Sequence, residues 1–114
     1  MLLKHINLTV DDIVESRDFL IKYFGLVMKT EQGRNPEVLT DGEGFILTLM
    51  KGRKVSYPQT FHIGFPQQSK EQVDKINLKL LEGGFEAPTP KQTPHGYTFY
   101  VMAPGGFKVE VMAF

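Results

Sequence analysis

KHINL (residues 4–8) and FHIGF (residues 61–65) are the two stretches whose reading decides the fold. In the first, extended through Val10, Ile6, Leu8 and Val10 share one face of a strand while His5, Asn7 and Thr9 share the other. In the second, Phe61, Ile63 and Phe65 lie opposite His62. Alternation with a period of two is the signature of a strand with one apolar face. Aligned, the stretches place His5 over His62 and Ile6 over Ile63. A polar position filled twice by histidine points to an internal repeat.

The residues that follow each strand support the repeat. DDIVESRDFLIKYFG (11–25) reads as a helix: Asp12 and Glu15 have capping-box spacing, and Gly25 is a stop signal. Its apolar stripe is Ile13, Ser16, Leu20 and Tyr23, widened by Phe19 and Phe24. SKEQVDKINLKLLEGG (69–84) reads the same way, capped by Ser69 with Gln72, striped by Val73, Ile76, Leu80 and Leu81, and ended by Gly83 and Gly84. Short strands are expected at 26–31 and 36–40, then a turn over Asp41–Gly44 and a strand FILTLMK (45–51). In the second half, FEAPTP (85–90) reads as a short extended piece that Pro88 and Pro90 confine to an edge or loop. YTFYVMA (97–103) and FKVEVMAF (107–114) are strands around a Pro104-Gly105-Gly106 turn.

GEGFILTLMK also aligns with PGGFKVEVMA, with Phe45 over Phe107 and Thr48 over Glu110. The reading is therefore α+β, with two βαβββ modules at about 1–52 and 57–114. One module alone is too small to bury a good core, so the two are expected to form a single domain over 1–114.

Composition narrows the function. The 13 basic and 13 acidic residues cancel, with no one-signed block, so nucleic acid is not an expected partner. KGRK (51–54) reads as a solvated linker. Cysteine is absent, which excludes disulfides, thiolate metal sites and a cysteine nucleophile. No apolar run approaches the ~20 residues of a membrane span, and Lys4 and His5 interrupt any signal-peptide core, so a cytoplasmic protein is expected.

His5, His62 and Glu110 carry the chemistry. Strand parity turns all three away from the apolar faces, and the repeat puts both histidines at one structural address. Two imidazoles and a carboxylate suit one divalent first-row ion (Fe, Mn, Ni or Zn), leaving coordination positions open for substrate. Taken singly, each histidine reads as an ordinary hydrogen-bonded residue and the glutamate as a solvated one. Asn7, Thr48 and Lys108 share the ligands' parity and are candidates for touching a small polar substrate. Tyr97 and Tyr100 have opposite parity. Tyr100 is the one chosen for the polar face, as a candidate catalytic or substrate-binding group, and His95 is a candidate acid or base just before a strand.

With these residues in view, the chain resembles the vicinal oxygen chelate superfamily, which includes glyoxalase I, extradiol dioxygenases, fosfomycin-resistance proteins and bleomycin-resistance proteins. KHINLTV-DD, RDFLIKYFGL, FHIGF and HGYTFYVMAPGGFKVEVMAF carry the resemblance across essentially the whole chain. It implies eight strands in a cupped, half-barrel-like sheet with the helices outside, a metal or ligand inside the cup, and a homodimer. It also implies that His5, His62 and Glu110 are metal ligands. Glyoxalase I-like members carry an acid or amide ligand where this chain has Thr48, which argues against glyoxalase I activity itself. The common Asp before the Pro-Gly turn is Ala103 here. The activity implied is lyase-, dioxygenase- or thiol-transfer-like chemistry on a small oxygen-bearing substrate. The alternative is a metal-free, drug-sequestering protein of the bleomycin-resistance type.

Overall fold

In the computed structural model, which describes residues 1–114, capping at both helices follows the sequence reading. Strand β1 (His5–Val10) leads to α1 (Ile13–Phe24), where Asp12 accepts a hydrogen bond from the Glu15 N–H at 3.0 Å. Gly25, at φ 71°, takes the left-handed conformation that ends the helix. Strands β2 (Val27–Met28), β3 (Glu37–Thr40) and β4 (Ile46–Lys51) complete the first half. The second half is β5 (His62–Pro66), α2 (Lys70–Glu82), β6 (Lys91–Thr93), β7 (Gly96–Met102) and β8 (Lys108–Ala113). Ser69 caps α2, accepting from the Gln72 N–H at 3.2 Å, while the Gln72 side chain reaches back to the Gln68 N–H rather than to that of Ser69.

The fold is α+β, with two four-stranded mixed sheets ordered β1-β4-β3-β2 and β5-β8-β7-β6. In each, the first strand runs parallel to the last and the remaining pairs are antiparallel. The registers also repeat: His5 is across from Ile46, and His62 is across from Lys108, as the alignment of Phe45 with Phe107 requires.

The chain divides into two compact units, Met1–Tyr57 with Pro104–Gly106, and Pro58–Ala103 with Phe107–Phe114. In the first, α1 packs on β4, and Leu8, Val10, Phe19, Leu20, Leu39 and Leu49 are buried. In the second, α2 packs on β7 and β8 over Val73, Leu80, Phe99, Phe107, Val109 and Val111. Removing these side chains from water is the main driving force in each unit. Tyr57 closes part of edge strand β1, its hydroxyl donating to the Thr9 carbonyl and accepting from the Thr9 N–H, both at 2.8 Å.

Several expectations need correction. The third element of the second module is Lys91–Thr93, not the FEAPTP stretch, because Pro88 and Pro90 have no N–H to offer a ladder. The carbonyls of Ala87 and Pro88 are instead met by Asn77 Nδ2, which explains an amide buried on α2. Leu81, expected in the apolar stripe, is 48% exposed. Strand β2 spans two residues rather than six; beyond it, the Lys29 N–H bonds the Val38 carbonyl at 2.7 Å. Ser16 does lie in the buried stripe, its hydroxyl satisfied by the Asp12 carbonyl at 2.6 Å.

The Pro104–Gly106 turn packs with the first unit at close quarters. A Cβ on Gly105 would collide with Ser16 Oγ and lie 2.8 Å from Val10 Cγ1. Ser16 Oγ cannot swing away without losing its bond to Asp12. Gly105→Ala is therefore expected to cost about 1–3 kcal/mol of overpacking, read as a lower urea midpoint at unchanged slope.

Candidate functional site

The polar face of the second sheet gathers four of the eight candidate residues, His62, Tyr100, Lys108 and Glu110. His62 on β5 lies across from Lys108, and Glu110 on β8 lies across from Gly64. The space over Gly64 is taken by the Met112 side chain, and the imidazole of His62 reaches Glu110 diagonally. Nε2 is 3.2 Å from Glu110 Oε1. The opposite ring nitrogen, Nδ1, is 2.9 Å from the Thr60 carbonyl. A carbonyl only accepts, so Nδ1 carries the proton. Nε2 then meets the carboxylate either as the second N–H of an imidazolium, in an ion pair, or as a lone pair that a proton or a bound cation has to bridge. A histidine whose second nitrogen donates to a carbonyl is also the usual support for a metal ligand.

Glu110 is held from two further sides. Thr98 Oγ1 lies 2.6 Å from Oε2, and Tyr100, directly across on β7, sets its phenol beside the same carboxylate. Burial raises the Tyr100 pKa first, and the neighbouring Glu110 carboxylate adds to the rise. The Tyr100 ring meets His62 edge-on, with centroids 5.2 Å apart and planes at 86°. Lys108 Nζ lies 5.8 Å from the Tyr100 centroid and donates to the Gln59 carbonyl at 2.6 Å. His62, Thr98, Tyr100, Lys108 and Glu110 are thus one connected cluster. Tyr97, of opposite parity, instead donates to Asp74 on α2 at 2.6 Å.

The first unit repeats the diagonal in weaker form. His5 Nε2 is 3.2 Å from Thr48 Oγ1, and Asn7 sits across from Thr48 where the second unit has Gly64. A threonine hydroxyl donates or accepts, so this imidazole is satisfied without any cation. Within either unit, no three His, Asp or Glu side chains gather closely enough to hold an ion. His95 is exposed in the turn between β6 and β7, five residues (~17 Å of strand) from Tyr100. Thr98 and the Thr60 carbonyl were not singled out from the sequence. Thr98 has the parity of Tyr100, two residues on, and that signal was sufficient to find it.

Comparisons with known proteins identify the family and the fold. A family model described as the glyoxalase/bleomycin resistance protein/dioxygenase superfamily matches residues 2–111. A solved structure of a possible glyoxalase from Bacillus cereus is 59% identical, with a TM-score of 0.93 and 98% of each chain covered. Lactoylglutathione lyase from Agrobacterium tumefaciens is 20% identical, with a TM-score of 0.80, covering 98% of this chain and 92% of that one. A mutant of the fosfomycin resistance protein FosX from Listeria monocytogenes, complexed with Mn(II) and 1S,2S-dihydroxypropylphosphonic acid, is 24% identical, with a TM-score of 0.80, covering 97% and 90%. The last two likenesses establish a shared fold. A search of curated protein sequences found no match.

Proposed function

Since the chain belongs to the glyoxalase/bleomycin resistance protein/dioxygenase superfamily, we propose that it is a metal-dependent enzyme acting on a small oxygen-bearing molecule, with His5, His62 and Glu110 as ligands of one divalent ion. The observation that carries this reading is the His62–Glu110 pair: an Nδ1 proton committed to the Thr60 carbonyl, and an Nε2 facing a carboxylate at 3.2 Å. His5 enters as the repeat's equivalent of His62. The complex of FosX with Mn(II) supports the use of such an ion in a protein of this fold. Fe, Mn, Ni and Zn all suit two imidazoles and a carboxylate.

When bound, the ion supplies Lewis-acid polarisation of adjacent substrate oxygens. The chain's own residues supply the rest. The Thr60 carbonyl fixes the His62 ring, Thr98 fixes the carboxylate of Glu110, and the Tyr100 ring limits the angle at which His62 can turn. Asn7 and Thr48 offer neutral donors to the substrate, and Lys108 offers a cation.

Elemental analysis after dialysis against Mn, Fe, Ni or Zn tests the reading. The expected result is about one ion per chain in the native protein and markedly less in His5→Ala, because each lost ligand removes much of the affinity. Native protein that stays empty in excess metal would point instead to a metal-free small-molecule binding protein.

A further inference from the structure

The second unit contains an open cavity of about 550 Å3, within the usual range for sites that take small organic molecules. Leu81, Ala87, Pro88, Val101 and Met102 supply apolar wall, and Glu86, Tyr100 and Lys108 are its polar members. Leu81 at 48% and Met102 at 54% exposure are open apolar side chains, and both line this space. Tyr100 belongs to the cavity and to the ligand cluster at once, since its ring packs edge-on against His62 at 5.2 Å and it lies directly across from Glu110. A molecule in the cavity would therefore lie next to the His62–Glu110 pair.

Lys108 is the cation of this space, and no ion pair in the chain includes it. An ammonium has three N–H donors. One is held by the Gln59 carbonyl at 2.6 Å, which fixes Nζ over the Tyr100 ring and leaves two donors free. Glu86, the other charged group of the cavity, is exposed, so water screens its charge.

We propose, resting on the metal-site reading above, that the substrate is a small organic anion. Its oxygens lie at the His62–Glu110 pair, its apolar body fills the cavity against Leu81 and Met102, and a carboxylate-like group pairs with Lys108. The spacing is compatible, because Lys108 is two residues from Glu110 on one strand face, ~7 Å along the backbone. Lys108 thereby sets specificity, selecting the charged member of an otherwise identical pair of molecules.

The test uses 3,4-dihydroxyphenylacetate and its methyl ester, which share vicinal oxygens and an aromatic body and differ in charge and one methyl group. Affinities are measured by calorimetry on the full chain, both Mn-loaded and EDTA-treated. The acid is expected to bind roughly tenfold more tightly than the ester, as a charge-assisted hydrogen bond in a partly open site should give. Lys108→Met should erase that preference, and Lys108→Arg should keep most of it. A preference for the acid that survives EDTA, and is lost in Lys108→Met, supports the anion subsite even where the metal reading fails. Metal-dependent binding with equal affinity for acid and ester overturns the subsite and leaves the metal reading standing. Binding of neither probe, or a preference that persists in Lys108→Met, overturns it as well.

Discussion

Glu110→Gln is expected to lower the affinity for a divalent ion at least about a hundredfold while leaving the protein folded. The substitution keeps the shape of the side chain and removes its charge. Thr98 can still donate to the amide oxygen, as it now approaches Oε2 at 2.6 Å. That leaves the amide NH2 directed at His62 Nε2, now 3.2 Å from the corresponding oxygen, where it can donate to the ring's lone pair. The variant pair is thus satisfied by a direct neutral hydrogen bond, with no negative charge left to attract a cation. The effect is read in two ways: calorimetric titration with Mn(II), and the rise in melting temperature on adding the ion. A ligand that binds only the folded state raises stability by about RT ln(1 + [L]/Kd), so the rise should be clear in the native protein and absent in the variant. Thr98→Val gives a graded comparison, since it leaves the carboxylate in place but frees Oε2; a loss of roughly ten- to a hundredfold is expected for removing such a support. Native-like affinity in Glu110→Gln would show that this carboxylate is not a ligand.

What could be read from the sequence was whatever leaves a local or repeated mark. Asp12, Gly25 and Ser69 announce the helix ends because a cap needs a particular side chain within a few residues of the amide it satisfies. The duplicated strands fixed the register of β4 and β8 before any coordinates, since aligning Phe45 with Phe107 puts His5 and His62 at matching places. Parity alone separated Tyr100, which touches Glu110, from Tyr97, which bonds α2. Other features had no such mark. The amide of Asn77 looks like any surface residue until Pro88 leaves a carbonyl above it. Lys91–Thr93 is too short and polar to show alternation, and it pairs because β7 offers it an edge.

The feature least visible in the sequence is expected to carry the largest stability effect. Arg17 lies on the buried side of α1, and its guanidinium Nη1 is 3.2 and 3.0 Å from the two oxygens of Glu37 on β3. The Glu37 side chain is fully buried, and the Arg17 side chain is 8% exposed. The pair stands 20 residues apart and obeys neither helical nor strand periodicity, so an arginine within an apolar stripe reads as an exposed one. Burial by itself would lower the Arg17 pKa, but the hydrogen bond that Arg17 donates to Asp18 and the charges of Glu37 and Asp18 outweigh it, and the net direction is up. The bond to Asp18 contributes little stability, because that carboxylate is 64% exposed and screened.

Arg17→Met keeps the apolar length of the side chain and strands Glu37 with only the Gly33 N–H, 2.8 Å from Oε2, as partner. Removing one member of a buried ion pair leaves an uncompensated charge, so a loss of about 3–5 kcal/mol is expected, seen as a large fall in the urea midpoint or as failure to fold. The double variant Arg17→Met with Glu37→Leu separates the pair's net worth from the cost of breaking it. It should recover most of the lost stability, because an apolar pair of similar volume commonly equals a buried ion pair. If Arg17→Met alone matches the native midpoint, water reaches Glu37 and the pair is not holding α1 to β3. If the double variant is as unstable as the single one, the bond from the Gly33 N–H to Glu37, which Leu cannot replace, is what the loop before β3 depends on.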